Sequence, residues 1–235
     1  MDTQTRHALK GDKFAEATRT GVSWVSGHRE GVVRWVVSVG AVVVVAIALV
    51  IFWNVRTSSA DSAFGAALDT YTAPLAIPGA PPQQGVYATA SERSKAANQQ
   101  FVAVADKYSW LPQGTRAHYF AGVTYADLGQ NSQAETELKT AADSWNRNVA
   151  NLAKLALAGL YHQTGRDADA ISLYNDLVSK PSVTVPATVA QLDLADLYAA
   201  TGKKEQARAL WAKVKDADKD GMAGSIAAQR LASGQ

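Results

Sequence analysis

The chain has 235 residues, of which 47% are hydrophobic and 19% are charged, and it contains no cysteine. This composition excludes a disordered tail, which would be poorer in apolar residues, and it excludes disulfide scaffolds and thiolate metal sites. The formal charge of +2 gives no electrostatic basis for binding nucleic acid.

Residues 1–34 predict a short cytoplasmic segment that contains an amphipathic helix. Apolar side chains recur at helical spacing from Phe14 to Val25, while Lys13, Glu16 and Arg19 fall outside that stripe. Two interpretations remain open: the helix contacts the membrane surface or a partner, or it only leads into the next segment.

Residues 35–55 predict one transmembrane helix in contact with lipid. They form 21 consecutive residues without a charge, bounded by Arg34 and Arg56. As a helix the run is about 32 Å long, close to the ~30 Å hydrocarbon thickness of a bilayer. The indole rings of Trp35 and Trp53 fall at the two ends, where such rings anchor a span. A core helix of a soluble protein and a cleaved signal peptide are the alternatives, but the former needs a polar stripe and the latter has a shorter apolar region nearer the start of the chain.

The flanking basic residues predict the orientation of this span. Three arginines occur in residues 15–34, and one occurs in residues 56–75. Because basic residues resist translocation, the N-terminus should be cytoplasmic. We therefore expect a single-pass protein of the bacterial inner (plasma) membrane whose residues 56–235 are periplasmic or extracytoplasmic.

Residues 56–110 predict two helices separated by a loop. Ala60, Phe64 and Tyr71 lie on one helical stripe within residues 57–72, so a helix should start immediately outside the span. Four prolines and two glycines in residues 73–88 predict a loop. Thr89 and Glu92 then have capping-box spacing at the start of a second helix, which should end near residue 108.

One pattern occurs three times in residues 111–235. Its anchors are Gly129, Gly165 and Gly202, which are 36 and 37 residues apart. A tyrosine precedes each glycine by four positions, an alanine follows it by five and a large apolar residue follows it by nine; these are Tyr125, Tyr161 and Tyr198, then Ala134, Ala170 and Ala207, then Leu138, Tyr174 and Trp211. Such a unit predicts a helix, a glycine turn and a second helix packed closely on the first.

These residues resemble the tetratricopeptide repeat, which implies an all-α helical solenoid. Residues 56–110 then form a degenerate first repeat with a proline-rich loop, and residues 222–232 form a terminal capping helix. The sequence departs from the family at its fourth position, which is often tryptophan and is occupied here by His118, Lys154 and Gln191.

The order of segments adds a closer resemblance. A basic amphipathic N-terminal segment, one span and divergent repeats resemble the bacterial ancillary SecYEG translocon subunit family with its YfgM-like repeat domain. This resemblance implies a position beside the secretion channel, with exported chains and periplasmic chaperones as partners.

The family's binding surface implies a protein-binding groove along the first helices of the repeats. By repeat position its candidate residues are Arg116, Tyr119, Val123, Asp127, Leu155, Gly159, His162, Gln163, Val189, Leu192 and Asp196. Because the positions that carry lysine and asparagine in carboxylate-binding repeats differ here, we expect an apolar client segment or partner helix instead. The alternative is that some of these residues are simply core.

No catalytic motif, cofactor site or metal site is predicted. His162 is interpreted as a solvated helix residue that could also face the groove. Residues 216–221, DADKDG, match the opening of a calcium loop, but the twelfth position is Ala227 instead of glutamate. We interpret this segment as a polar connector in which Asp220 or neighbouring groups cap the last helix.

The sequence thus predicts a non-enzymatic membrane-anchored protein-binding scaffold, ancillary to secretion, with protein partners and neither nucleic acid nor a small-molecule substrate. The alternative is a structural subunit of a larger membrane or cell-envelope complex, whose groove would be occupied permanently.

Overall fold

The computed structural model describes residues 29–77 and 85–234. Within these residues the protein has nine α-helices and no β-strand, which confirms the predicted all-α class. The helices are α1 (Arg29–Tyr71), α2 (Ala90–Lys107), α3 (Pro112–Asp127), α4 (Asn131–Ala142), α5 (Arg147–Gln163), α6 (Asp167–Ser179), α7 (Ala187–Ala200), α8 (Lys204–Ala217) and α9 (Met222–Ala232). The amphipathic helix predicted from Phe14 to Val25 lies outside the described residues.

The chain divides into two compact units, residues 1–56 and residues 57–235. In the described part of the first unit, α1 has exposed apolar side chains along its length, including Trp35 at 70% and Trp53 at 54% exposure. This helix is long and apolar enough to cross a membrane, and a signal sequence would pass the same test of length and composition. The helix expected to start outside the span is instead continuous with it, because no proline interrupts the backbone hydrogen bonds between residue 55 and residue 71.

The second unit contains three regular helix pairs, α3–α4, α5–α6 and α7–α8. Each pair turns at one of the predicted glycines, whose φ angles are +71°, +76° and +79° for Gly129, Gly165 and Gly202. At the middle turn the Arg166 amide donates to the Tyr161 carbonyl over 2.7 Å, and the Gly165 amide donates to the His162 carbonyl over 3.1 Å. The other two turns repeat this bonding, which satisfies carbonyls at the end of the first helix.

The predicted seam between the helices of each pair is also present. Its alanines, Ala134, Ala170 and Ala207, are completely buried, and the large residues Leu138, Tyr174 and Trp211 are at most 6% exposed. At the first seam a Cβ added to Gly122 would lie 2.6 Å from Cγ of Leu138. The small residues therefore set the distance at which the two helices pack.

Residues 57–71 of α1 and helix α2 form the first helix pair, which differs from the regular pairs. Both of its helices pack in one cluster with α3. Ala60, Phe64 and Ala67 are buried in one cluster with the completely buried Phe101. Asn98 of α2 donates to the Ala121 carbonyl over 3.1 Å, so a buried hydrogen bond joins α2 to α3. A long connection, residues 73–89, takes the place of the short glycine turn in this pair, and its described ends are joined by a backbone bridge between Leu75 and Tyr87.

Helix α9 covers the end of the last pair. Ala223 and Ala227 are buried in a cluster with Trp211 and Leu192. In the segment DADKDG, Oδ2 of Asp218 accepts a hydrogen bond from the Gly224 amide over 3.2 Å. This side chain therefore caps the start of α9.

Candidate protein-binding groove

The candidate residues lie on the first helices of the three regular pairs, α3, α5 and α7, which the repeat pattern places along one surface. Each of these helices ends at a glycine turn, so residues at equal distances from the three glycines occupy equivalent positions. The surroundings of the candidates nevertheless differ from one helix to the next.

On α3 the candidates surround an aromatic surface. Tyr119 and Val123 are half-buried, and Arg116 is exposed with its Cζ 5.5 Å from the centroid of the Phe64 ring. Asp127, at the end of the helix, accepts a hydrogen bond from Oγ of Ser94 over 3.3 Å. Arg116, Tyr119 and Asp127 therefore border a surface that α1, α2 and α3 build together, whereas Val123 packs against the core of the regular pairs.

Five aromatic rings form this surface, which we call the aromatic cluster: Phe64, Tyr71, Phe101, Tyr119 and Phe120. Phe101 and Phe120 are stacked with centroids 5.0 Å apart, and Tyr119 meets Phe120 edge to face at 5.0 Å. Tyr71 lies 6.0 Å from Phe120 in an edge-to-face arrangement. Such contacts fix the ring orientations and leave the partly exposed members available to an apolar ligand.

Burial controls the ionisation of the two tyrosines. Burial and the neighbouring Asp127 carboxylate raise the pKa of Tyr71, and burial raises the pKa of Tyr119. Both phenols therefore stay neutral at physiological pH and offer a hydroxyl group beside apolar ring surface. The cluster can accept an apolar segment while supplying hydrogen bonds at its margin.

On α5 the candidates separate into an apolar and a polar group. Leu155 is half-buried and packs against the central core cluster. Nδ1 of His162 lies 2.7 Å from Oδ1 of Asp167, so this side chain bridges the glycine turn to the start of α6. Gln163 is exposed. The interpretation of His162 as a solvated helix residue fits its side-chain exposure of 40%.

On α7 two of the three candidates are engaged with other helices. Leu192 is only 7% exposed and packs against Trp211 of α8, so it contributes core packing and little groove surface. Asp196 accepts hydrogen bonds from Nε1 of Trp211 over 2.9 Å and from Nη2 of Arg230 over 3.1 Å. Val189 is half-buried near the start of the helix.

One further acid on α7 has an unusual environment. Burial and the negative charge of Asp196 raise the pKa of Asp193 to about 6. Because the raised pKa reflects a disfavoured carboxylate, ionisation of Asp193 opposes folding near neutral pH.

A cavity of about 370 Å³ lies beside Asp196 at the end of α7. It is lined by Asp196, Ala199, Ala200, Lys204, Trp211 and Arg230, and thus by residues of three helices. Ala199 and Ala200 stand at the same distances from Gly202 as Ala126 and Asp127 do from Gly129. Sequence reasoning missed this cavity because Lys204 and Arg230 come from α8 and α9, whose packing the repeat pattern does not specify.

The structure thus brings some candidates together and separates others. Tyr119 belongs to the aromatic cluster, and Arg116 and Asp127 contact it. Val123 packs instead against the core of the regular pairs, and Asp196 belongs to the cavity at the far end of the repeats. Phe120 was not among the groove residues predicted from the sequence. Its position next to the candidate Tyr119 was the available indication that it belongs to this surface. The candidate groove therefore has an aromatic region on α3 and a cavity with charged residues at the end of α7.

Helical repeat domains of this type are generally non-catalytic scaffolds. Over residues 29–77 and 85–234, no group of three or more histidine, aspartate or glutamate side chains is arranged to hold a metal ion. At the fourth repeat position, His118 and Lys154 each lie 2.6 Å from an acid of the following helix, Glu137 and Asp176 respectively. These polar residues therefore join the helices of a pair where the family often uses tryptophan.

No curated protein and no solved structure matches the chain. A family model described as "Tetratricopeptide repeat-like domain" matches residues 33–221, which include both the apolar part of α1 and the three glycine turns. The chain therefore belongs to the tetratricopeptide repeat-like domain family.

Proposed function

We propose that the protein is a single-pass membrane-anchored scaffold that binds other proteins through its repeats and is ancillary to secretion across the bacterial inner membrane. The observation that carries this proposal is the change of environment along α1. Its apolar side chains between Val33 and Val55 are exposed, whereas Ala60, Phe64 and Ala67 are buried in the repeat core. One helix thus has a lipid-compatible part and a protein-packing part.

The anchoring step follows from the cost of leaving this surface in water. Exposed apolar patches of soluble proteins rarely exceed a few hundred Å², and a 21-residue apolar helix exceeds that limit on all sides. In a bilayer these apolar side chains no longer contact water. The helical backbone can enter the hydrocarbon because its polar groups are hydrogen-bonded to one another.

The location follows from the arginines around the span. Three arginines in residues 15–34 against one in residues 56–75 favour a cytoplasmic N-terminus, which supports a periplasmic or extracytoplasmic location for the repeats. Proteins available there include the secretion channel, exported chains and periplasmic chaperones, which are the partners that we propose.

The chemistry of the groove supports an apolar segment as the client. Tyr119, Val123 and Leu155 are half-buried, so each combines a fixed position with accessible apolar area. Residues 57–235 contain 16 basic and 17 acidic residues, so the unit has no charge excess that would favour a strongly charged client. Affinity would come from burial of apolar side chains against the aromatic cluster.

Topology is tested by adding protease to intact spheroplasts that contain the full chain. We expect removal of the repeat unit and survival of a fragment that contains the span. If the repeat unit stays intact under conditions in which a known exported domain is cleaved, or if it is found released without the span, the proposed anchoring is wrong.

Partners are tested by photo-crosslinking in living cells. A photoreactive residue at Tyr119 or Ala200 should capture exported chains or channel subunits, whereas one at Thr136, which is exposed on the second helix of its pair, should not. Labelling of cytoplasmic proteins alone would contradict the proposal. One partner that stays stoichiometric through mild detergent would instead support the alternative of a permanent structural subunit.

A further inference from the structure

The repeat unit has two edges that differ in their exposed side chains. The turns 128–130, 164–166 and 201–203 form what we call the glycine edge. The connections 108–111, 143–146, 180–186 and 218–221, with the helix ends that flank them, form what we call the inter-repeat edge. Consecutive antiparallel helices place these two sets of connections at opposite ends of the helices.

Hydrogen bonds link neighbouring segments of the inter-repeat edge. Nε2 of Gln113, at the start of α3, donates to Oδ1 of Asp61 over 2.6 Å. Oγ1 of Thr184 donates to the Asn148 carbonyl over 2.8 Å and so joins the 180–186 connection to the start of α5. The starts of alternate helices therefore lie side by side, and this series begins with residues 57–61.

Large apolar side chains project from this edge. Trp145 is 83% exposed, Val183 is 89% exposed and Met222 is 80% exposed, and Trp110 is 50% exposed. The remaining exposed large apolar residues of the unit, Leu75 and Ile77, lie in the 73–89 connection, and among the described residues the three glycine turns carry none. Isolated exposed apolar residues are common, but four at successive connections of one edge form a pattern.

The order of the chain shows which edge of the repeat unit is connected to the apolar helix. The unit that contains the apolar helix ends at Arg56, and the repeat unit begins at the next residue, Thr57. The inter-repeat edge is thus the one at which the chain enters from the span, since residues 57–61 belong to it. A tryptophan or an aliphatic side chain at that level can enter the interfacial region of the bilayer.

We propose that the inter-repeat edge docks on the bilayer surface through Trp110, Trp145, Val183 and Met222, so that the protein has a peripheral lipid contact in addition to its span. This inference depends on the membrane anchoring proposed above. The edge segments 106–112, 143–147, 179–186 and 215–222 contain five basic and five acidic residues. Insertion of apolar side chains, and not attraction to anionic lipid, is therefore the source of binding, and the contact is insensitive to salt.

The absence of cysteine from the chain permits a direct test in lipid nanodiscs. The full-length variants Trp145→Cys, Val183→Cys and Gln130→Cys each carry one environment-sensitive fluorophore, with Gln130 as the matched exposed position on the glycine edge. We expect a blue shift and loss of intensity with nitroxide-labelled lipid for positions 145 and 183, in low and high salt and without anionic lipid, and no change for position 130.

The outcomes separate this inference from the proposed function. Chains that co-elute with nanodiscs but show no lipid quenching at positions 145 and 183 would overturn lipid docking while leaving the anchor intact. Shielding of these labels from aqueous quencher without lipid quenching would also overturn it, because a protein would then cover the edge. Failure to co-elute would overturn both proposals.

A second variant tests the contribution of the indole rings. Trp110→Ala combined with Trp145→Ala should reduce lipid quenching of the label at position 183, whereas Thr140→Ala, an exposed substitution on α4, should not. Unchanged quenching in the double variant would contradict insertion through these side chains. Circular dichroism of both variants verifies that the helices are retained.

Discussion

The first helix pair and the three regular pairs achieve close helix packing with different residues. The regular pairs use a left-handed glycine turn, a buried alanine and one large side chain, as at Gly165, Ala170 and Tyr174. The first pair is joined by the long 73–89 connection instead and packs aromatic rings, with Phe101 completely buried at its centre. The comparison teaches that repeat architecture requires close helix pairing, which either short turns or large interlocking side chains can provide.

The largest expected effect is in the first pair. Phe101→Ala removes a completely buried ring that contacts Phe64 and Phe120, and should lower the free energy of unfolding by about 3–5 kcal/mol. Chemical unfolding of the full chain in mild detergent measures this loss. Trp145→Ala, at a position with 83% exposure, is the control and should leave stability unchanged. Equal effects of the two substitutions would contradict the assignment of Phe101 to the core of the first pair.

Two glycine substitutions in one regular pair should have opposite signs. Gly165 has φ of +76°, so Gly165→Ala should cost about 1–2 kcal/mol although no atom lies within 4 Å of the added Cβ. Gly159, within α5, also has open space, so Gly159→Ala should stabilise the helix by about 0.5–1 kcal/mol. Thermal unfolding of both variants measures the two changes in stability. If Gly165→Ala stabilised the protein as Gly159→Ala is expected to do, the turn geometry would not limit stability.

The third pair should show a pH dependence of its own. The pKa of Asp193 is raised from 3.8 to about 6, so the wild-type protein loses stability as pH rises through this interval and the loss is complete above pH 6. Asp193→Asn should therefore stabilise by about 1–2 kcal/mol at pH 7–8 and give almost no gain near pH 4. Urea unfolding at several pH values measures this; a gain that is constant across pH would assign the effect to packing.

The smallest expected effects compare helix starts in the two kinds of pair. Oγ1 of Thr89 accepts from the Glu92 amide over 3.1 Å at α2, and Oδ1 of Asn146 accepts from the Asn148 amide over 3.1 Å at α5. Thr89→Ala and Asn146→Ala should each cost about 1 kcal/mol. Ser109→Ala, an exposed substitution outside these caps, serves as the control. A much larger loss for Thr89→Ala alone would mean that the first pair, without a glycine turn, depends on this cap for its register.

The sequence predicted the regular pairs well because their determinants are local. The left-handed turn at Gly202 requires a residue without Cβ, and the alanine five positions later faces the preceding helix by helical periodicity alone. The same reasoning predicted the N-cap at Thr89 and the buried stripe from Ala60 to Ala67.

The site was less predictable because burial depends on which helix packs next. Leu192 was expected in the groove by repeat position, yet Trp211 and the terminal helix α9 leave it almost fully buried. Asp196 likewise acquires its partners from α8 and α9, through Trp211 and Arg230. Neither relationship follows from spacing along the chain, since both depend on contacts between residues that are 15 or more positions apart.

Because of the bridge between Leu75 and Tyr87, the length of the loop beyond it can change without affecting the packing of α1 and α2. The Ala76 amide donates to the Tyr87 carbonyl and the Tyr87 amide donates to the Pro74 carbonyl, and these two hydrogen bonds join the two ends of the connection at its base. Residues added beyond that base lengthen a closed loop without altering where α1 ends or α2 begins, and doubling such a loop costs only about 0.6 kcal/mol. This is the place at which the chain can acquire an epitope, a reporter or an extra recognition element while its repeats stay in register.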